Sequence, residues 1–144
     1  MVEIKKTLII MLLSLFILSF QAQGRVVDHV EIKWVGLHPD GDKDENEKRA
    51  CKGFRPTEKQ IIEFFNKAKE SKKTNGLVHD YYSPCSSTGL VKFKDGASGS
   101  WAVESSGLAF VTFDNGESAV FFRKDNAWFD PFACSYSPSG EDDC

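Results

Sequence analysis

The fold is decided by residues 89–123, which read GLVKFKDGASGSWAVESSGLAFVTFDNGESAVFFR. Short apolar runs alternate in this stretch with turn residues, including the dipeptides Asp95-Gly96 and Asn115-Gly116. Dipeptides of this kind between alternating strands are strong local signals for β-hairpins. The pattern predicts an antiparallel meander of five strands, at residues 90–94, 98–104, 108–114, 117–123 and 127–132.

One amphipathic helix is predicted before this meander. The residues Thr57-Glu58-Lys59-Gln60 match a capping box, and Asn75-Gly76 marks the predicted end of the helix. Its apolar face consists of Ile61, Ile62, Phe64, Phe65 and Ala68. Since the sheet requires an apolar cover, we expect this helix to pack against it and to form an α+β domain of two layers.

The remaining segments before the meander are predicted to be two strands and a loop. Residues 26–35 read as a half-buried strand with Trp34 on the same face as Val30 and Ile32, and residues 77–82 read as a second strand. Residues 38–49 are strongly charged and contain no apolar side chain to bury, which predicts a solvated loop.

The first 24 residues are typical of a secretory signal peptide. Lys5 and Lys6 precede an apolar run from Leu8 to Phe20, and cleavage is expected after Ala22 or Gly24. The apolar run is shorter than the roughly 20 residues that cross a bilayer, so no membrane association is expected after cleavage. We therefore expect a single domain at residues 25–144, exported to the periplasm or, as an alternative, to the extracellular space.

Four cysteines in a short exported chain are predicted to form two disulfides. A helix of about fourteen residues rises about 21 Å and the returning strand covers about 20 Å, which brings Cys85 back beside Cys51. The preferred pairing is therefore Cys51 with Cys85, and Cys134 with Cys144. A four-thiolate zinc site is the alternative, but the sequence lacks the close cysteine pairs of such sites.

Charge and motifs argue against several classes of function. The formal net charge is −3, and it becomes one unit more negative when Glu3, Lys5 and Lys6 leave with the leader, so nucleic acid is not an expected partner. The run Asp42-Lys43-Asp44-Glu45-Asn46 matches the start of an EF-hand loop, but the required glycine is replaced by Glu47. We expect no metal and no cofactor, with an irregular calcium site as the alternative.

No catalytic constellation is recognisable in the sequence. The histidines are His29, His38 and His79, and the neighbouring Asp80 is expected to point away from His79 because adjacent strand residues face opposite sides. There is no Gly-x-Ser-x-Gly elbow and no phosphate-binding glycine loop. We therefore expect the chain not to be an enzyme, although a small hydrolase remains an alternative because paired carboxylates leave little local signature.

Aromatic residues beside carboxylates indicate a binding surface, because such combinations are favoured at interfaces. The predicted contact residues lie on the sheet edge and its turns, and they are Tyr82, Asp114, Asn115, Glu117, Trp128 and Asp130. The leading hypothesis is a periplasmic immunity or inhibitor protein whose acidic edge binds a basic toxin or cell-wall hydrolase. The alternative is an exported module that binds a small ligand or glycan on the sheet face by ring stacking.

Overall fold

The structure, a computed structural model, describes residues 25–39 and 43–136. The predicted leader, residues 40–42 and Cys144 lie outside this part of the chain. The strands are β1 (Val27–Leu37), β2 (Lys69–Ser71), β3 (Ser86–Phe93), β4 (Ser98–Glu104), β5 (Leu108–Phe113) and β6 (Ser118–Phe122). The helices are α1 (Glu45–Cys51), α2 (Glu58–Lys67) and α3 (Leu77–Tyr81), and a 3-10 turn covers Ala133–Ser135. All six strands form one antiparallel sheet in the order β1-β3-β4-β5-β6-β2, so the expected α+β architecture of two layers is confirmed.

The predicted meander is confirmed over four strands, β3 to β6. β4 has its predicted bounds, and β5 and β6 differ from theirs by one residue at most at each end. The turns between them contain Gly96, Gly107 and Gly116 at φ values of +92°, +91° and +87°, a region that favours glycine. β3 begins four residues earlier than predicted, because its small residues Ser86 to Gly89 pair with the strands on both sides.

The predicted fifth meander strand, at residues 127–132, is wrong. These residues form turns that lead into the 3-10 turn. Pro131 has no N–H to donate to a strand ladder, and the side chain of Asp130 accepts a hydrogen bond from the Phe132 N–H at 3.0 Å. Local side-chain bonding therefore replaces strand pairing here.

The amphipathic helix is confirmed as α2, but its predicted end is wrong. The capping box is present: Gln60 N–H donates to Thr57 Oγ1 at 3.3 Å, and Thr57 N–H donates to Gln60 Oε1 at 2.9 Å. The helix ends at Lys67, because no apolar residue follows Ala68 that could continue its buried face. The chain enters β2 instead, where Glu70 pairs with Phe121 and satisfies backbone groups at the edge of β6.

Two other short segments also differ from prediction. Residues 77–82 were expected to form a strand, but most of them form α3, which follows Gly76 at a φ of +86°. The second half of the predicted loop 38–49 forms α1, because Asp44 caps it by accepting hydrogen bonds from the N–H groups of Asn46 and Glu47 at 2.9 and 3.1 Å. Neither helix has an apolar stripe that a periodicity argument could detect.

The core lies between α2 and one face of the sheet, and Phe65 is at its centre. Its ring is fully buried and lies 5.1 to 5.8 Å, centroid to centroid, from the rings of Phe64, Phe93 and Phe121. We call this face of the sheet the inner face and the opposite one the outer face. Tyr81 of α3 contacts Phe122, which alternates with Phe121, and α3 also lies close to β5, so α3 covers the corner of the outer face formed by β5 and β6.

The disulfide between Cys51 and Cys85 is confirmed. Both residues are fully buried and their Cα atoms are 4.8 Å apart. The chain returns to Cys85 through β2 and α3 rather than along one long helix and one strand, so the predicted route was wrong although the pairing is correct. The second predicted bridge involves Cys144, outside the described residues, and stays a prediction.

Partway along β1, the alternation of its side chains between the two faces of the sheet is interrupted. Its register with β3 shifts between Ile32 and Trp34, where a β-bulge interrupts the alternation. Val30 is 2% exposed, whereas Trp34 is 67% exposed. The expectation that Trp34 shares the buried face is therefore wrong, and its indole lies on the outer face.

Candidate functional site

The structure divides the six predicted contact residues between the two ends of β5. Asp114, Asn115 and Glu117 lie in the turn that follows the strand. Trp128 and Asp130 are hydrogen bonded to Ser105, in the turn that precedes it, and Tyr82 lies beside Ser83, which also bonds to Ser105. A strand of six residues covers about 20 Å, so the six residues do not form one compact site.

The first group belongs to a surface formed by two turns, residues 95–98 and 113–117, which we call the hairpin end. Asp114 N–H donates to the Ser98 carbonyl at 2.9 Å, and Ser98 Oγ donates to Asp114 Oδ2 at 2.5 Å. Within the second turn, Glu117 N–H donates to Asn115 Oδ1 at 2.9 Å. These bonds fix both turns relative to each other and to the sheet.

A cleft of about 290 Å³ opens at the hairpin end, with Arg25 beside it. The Arg25 guanidinium lies 4.8 Å from the centroid of the Phe113 ring and bonds to Glu70 at 2.8 Å and Asp95 at 2.9 Å. Hydrogen bonding to Glu70 raises the pKa of Arg25, while partial burial opposes the shift. The positive charge of Arg25 is therefore already matched by two carboxylates.

Negative charge remains in excess around this cleft. Within residues 25–39 and 43–136, no Lys, Arg or His lies within ion-pair distance of the carboxylates of Asp114 or Glu117. Both residues are exposed. The hairpin end therefore presents two carboxylates, on a backbone fixed by hydrogen bonds, to any positively charged group that approaches.

Asp130, from the second group of predicted residues, belongs to a partly buried polar network. Asp130 Oδ1 accepts hydrogen bonds from Ser105 Oγ at 2.7 Å, from Phe132 N–H at 3.0 Å and from the Tyr136 hydroxyl at 3.2 Å. Burial raises the pKa of Tyr136 to about 12. With its Oδ1 held by three donors, Asp130 attaches the C-terminal segment to the sheet.

Trp128 is part of the core. It is 8% exposed, its ring centroid lies 5.7 Å from that of Phe54 and 5.5 Å from that of Phe64, and its Nε1 donates to the Ser105 carbonyl at 2.9 Å. Tyr82 is 52% exposed. Of the second group, Tyr82 is therefore the residue with an accessible ring.

Glu104 is expected to make the fold less stable as the pH rises. Burial raises the pKa of its carboxyl to about 7, although a hydrogen bond from Ser83 N–H at 2.9 Å opposes the shift. A carboxyl with a higher pKa in the folded state stabilises the fold while protonated. The contribution of the protonated Glu104 carboxyl to the stability of the fold is complete below its ordinary pKa of 4.5. This contribution is lost as the pH rises through 7.

The variant Glu104→Gln tests this expectation, because it keeps an oxygen for Ser83 N–H and cannot ionise. Denaturant unfolding should show that the variant is more stable than the wild type at about pH 8 and similar to it at about pH 4. Glu117→Gln removes one charge from an exposed position and serves as the control. If the difference in the free energy of unfolding between Glu104→Gln and the wild type stayed constant over this pH range, the account would be contradicted.

Two histidines have partners that sequence reasoning missed. His79 Nδ1 lies 3.0 Å from Asp80 Oδ1, so the expectation that these side chains point apart is wrong; they lie on a helix and not on a strand. His38 was expected in a solvated loop, but its side chain is 4% exposed and its Nε2 lies 3.3 Å from Glu47 Oε2. The second contact links the end of β1 to α1.

The described residues contain neither a metal-binding cluster nor a membrane-spanning helix. Within residues 25–39 and 43–136, no three or more His, Cys, Asp or Glu side chains are grouped to hold a metal ion. No helix in the same part of the chain is long and apolar enough to cross a membrane. The disulfide between Cys51 and Cys85 is compatible with an oxidising, exported compartment.

Comparison with known proteins gives no guide to function. The chain matches no protein-family model, no curated protein and no solved structure. Its function must therefore be inferred from the geometry of its own residues.

Proposed function

We propose that this chain is an exported protein that acts in the periplasm by binding and neutralising a basic secreted toxin or cell-wall hydrolase. The observation that supports this proposal is the charge of the hairpin end. Two exposed carboxylates flank a cleft there, and neither has a cationic partner among the described residues. Asp114 and Glu117 are the residues that would contact basic side chains of the partner.

The hairpin end has the physical properties expected of an inhibitor that binds in an active-site cleft and blocks it. Its turns are fixed by the hydrogen bonds of Asp114 to Ser98 and of Glu117 to Asn115, so little backbone entropy is lost when a partner binds. Negative charge without an internal counter-ion attracts a basic surface over distance and accelerates association. Rigid turns carrying unmatched charge are suited to a basic active-site cleft.

The compartment is inferred from two features that agree. Residues 1–24 are predicted to be a secretory leader, and the described domain contains a fully buried disulfide. Disulfides persist in oxidising compartments such as the bacterial periplasm. A toxin or a cell-wall hydrolase would meet the protein there, and a small exported inhibitor would protect the cell that makes it.

Capture from cell-envelope extracts and from lysates that contain candidate toxins tests the proposal. The immobilised wild-type protein is expected to retain a stoichiometric basic partner, which rising salt should release because exposed charges are screened. The D114K/E117K variant is expected to retain little of it. The D80K/D125K variant makes the same change in net charge away from the hairpin end and should retain it fully. Equal retention by the two variants would contradict the proposal.

A further inference from the structure

A second concave surface lies on the outer face of the sheet. It is a groove of about 420 Å³ whose walls and floor come from β1, β3, β4 and β5. The side chains that line it include Trp34, Thr88, Leu90, Ser100, Phe110 and Thr112. This groove is separate from the hairpin end and from the polar network around Asp130.

The strand register explains why this part of the sheet is concave. Ser100 and Ala102 of β4 are small and form the floor. Leu90 and Thr112 lie on either side of Ser100, and Thr88 and Phe110 lie on either side of Ala102. Since neighbouring strands are about 4.8 Å apart, the backbones of β3 and β5 are about 10 Å apart. The small side chains of β4, set between larger ones on both neighbouring strands, leave the groove open above β4.

The groove combines an exposed aromatic ring with other apolar surface. Trp34 is 67% exposed and Leu90 is 44% exposed. The floor is held in place beneath them: Trp101 Nε1 donates to the Leu90 carbonyl at 2.9 Å, and a Cβ on Gly89 would lie 2.6 Å from the Trp101 ring. An exposed indole on a fixed sheet provides a flat apolar surface for stacking.

Three hydroxyl groups in the groove decide which ligand fits. Thr88, Ser100 and Thr112 make no side-chain hydrogen bond to the described part of the chain. A purely apolar partner would bury these hydroxyls without compensation, which is unfavourable. Among the described residues that line the groove, Lys33 is the one with a charged side chain, and it is ion-paired with Glu31 at 2.5 Å, so a neutral ligand is favoured. A sugar ring has an apolar C–H face and a rim of hydroxyls, and it satisfies both requirements.

We propose that this groove binds a linear neutral oligosaccharide, with one sugar ring stacked on Trp34 and the hydroxyls of this and the following rings bonded to Thr88, Ser100 and Thr112. The inference does not depend on the proposed function of the hairpin end. A protein with both sites would hold its protein partner close to a glycan, which is the substrate class of a cell-wall hydrolase.

Calorimetric titration with chitotetraose, cellotetraose and maltotetraose tests this site. At least one of these is expected to bind the wild-type protein saturably, and Trp34→Ala should weaken its binding at least about tenfold. Phe129→Ala is the matched control, because Phe129 is 66% exposed and does not line the groove. It should bind as the wild type does, and so should D114K/E117K.

Tryptophan fluorescence provides a second readout. Trp34 is 67% exposed, whereas Trp101 and Trp128 are 2% and 8% exposed, so the wild-type emission should change on titration and the change should be absent from Trp34→Ala. The proposal is overturned if none of the three sugars binds at concentrations up to about 10 mM, or if Trp34→Ala binds as well as Phe129→Ala. It is also overturned if Trp34 emission changes with protein concentration alone, because a second copy would then occupy the groove.

Discussion

Replacing Phe65 with alanine is expected to lower the free energy of unfolding by about 3 to 5 kcal/mol. The ring is fully buried at the centre of the core, in edge contact with Phe64, Phe93 and Phe121. Truncation would remove apolar surface from the interface between α2 and the sheet and leave a cavity that rings on several elements cannot fill. Denaturant unfolding at neutral pH measures the change.

Phe129→Ala is the control for this measurement as well. Its ring is 66% exposed, so its removal should change the free energy of unfolding by no more than about 0.5 kcal/mol. If Phe65→Ala proved as stable as Phe129→Ala, α2 would not be the cover of the sheet. The helix would then have to be considered as a surface for a partner.

Removing the bridge between Cys51 and Cys85 is expected to have a comparable effect. The two residues are 34 apart in sequence, and closing a loop of that length stabilises a fold by about 4 kcal/mol in the chain-entropy model. The C51A/C85A variant should lose about this much and should unfold at lower denaturant concentration. The wild type treated with a reductant should approach the same stability.

Peptide mapping under non-reducing conditions checks the connectivity behind this prediction. A peptide containing Cys51 should be recovered joined to one containing Cys85. Recovery of Cys85 joined to Cys134 would contradict the fold around the start of β3. Undiminished stability of C51A/C85A would show that the bridge does not constrain the unfolded chain.

The hairpins could be predicted from sequence because their determinants are local. Asp95-Gly96 and Asn115-Gly116 specify turns by their own conformational preferences, whatever the rest of the chain does. β2, in contrast, is a strand because β6 offers an open edge, and nothing within Lys69–Ser71 indicates it. The shift in β1 that exposes Trp34 depends on pairing with β3. These two features depend on tertiary partners, and they were therefore missed or predicted wrongly.

The same distinction applies to the candidate site. Asp114, Asn115 and Glu117 could be predicted to be exposed together because a tight turn presents its side chains to solvent. Trp128 and Asp130 looked equivalent in sequence, yet one packs against Phe54 and the other bonds to Ser105. Their partners come from distant parts of the chain, which periodicity and turn chemistry do not identify.

The most direct test of the central claim is the dissociation constant of a purified basic partner for the wild type, D114K/E117K and D80K/D125K. Reversing both charges at the hairpin end should weaken binding at least tenfold, about 1.4 kcal/mol, with the melting temperature nearly unchanged because both side chains are exposed. D80K/D125K should bind as the wild type does. A folded D114K/E117K variant with wild-type affinity would contradict the assignment of partner binding to the hairpin end.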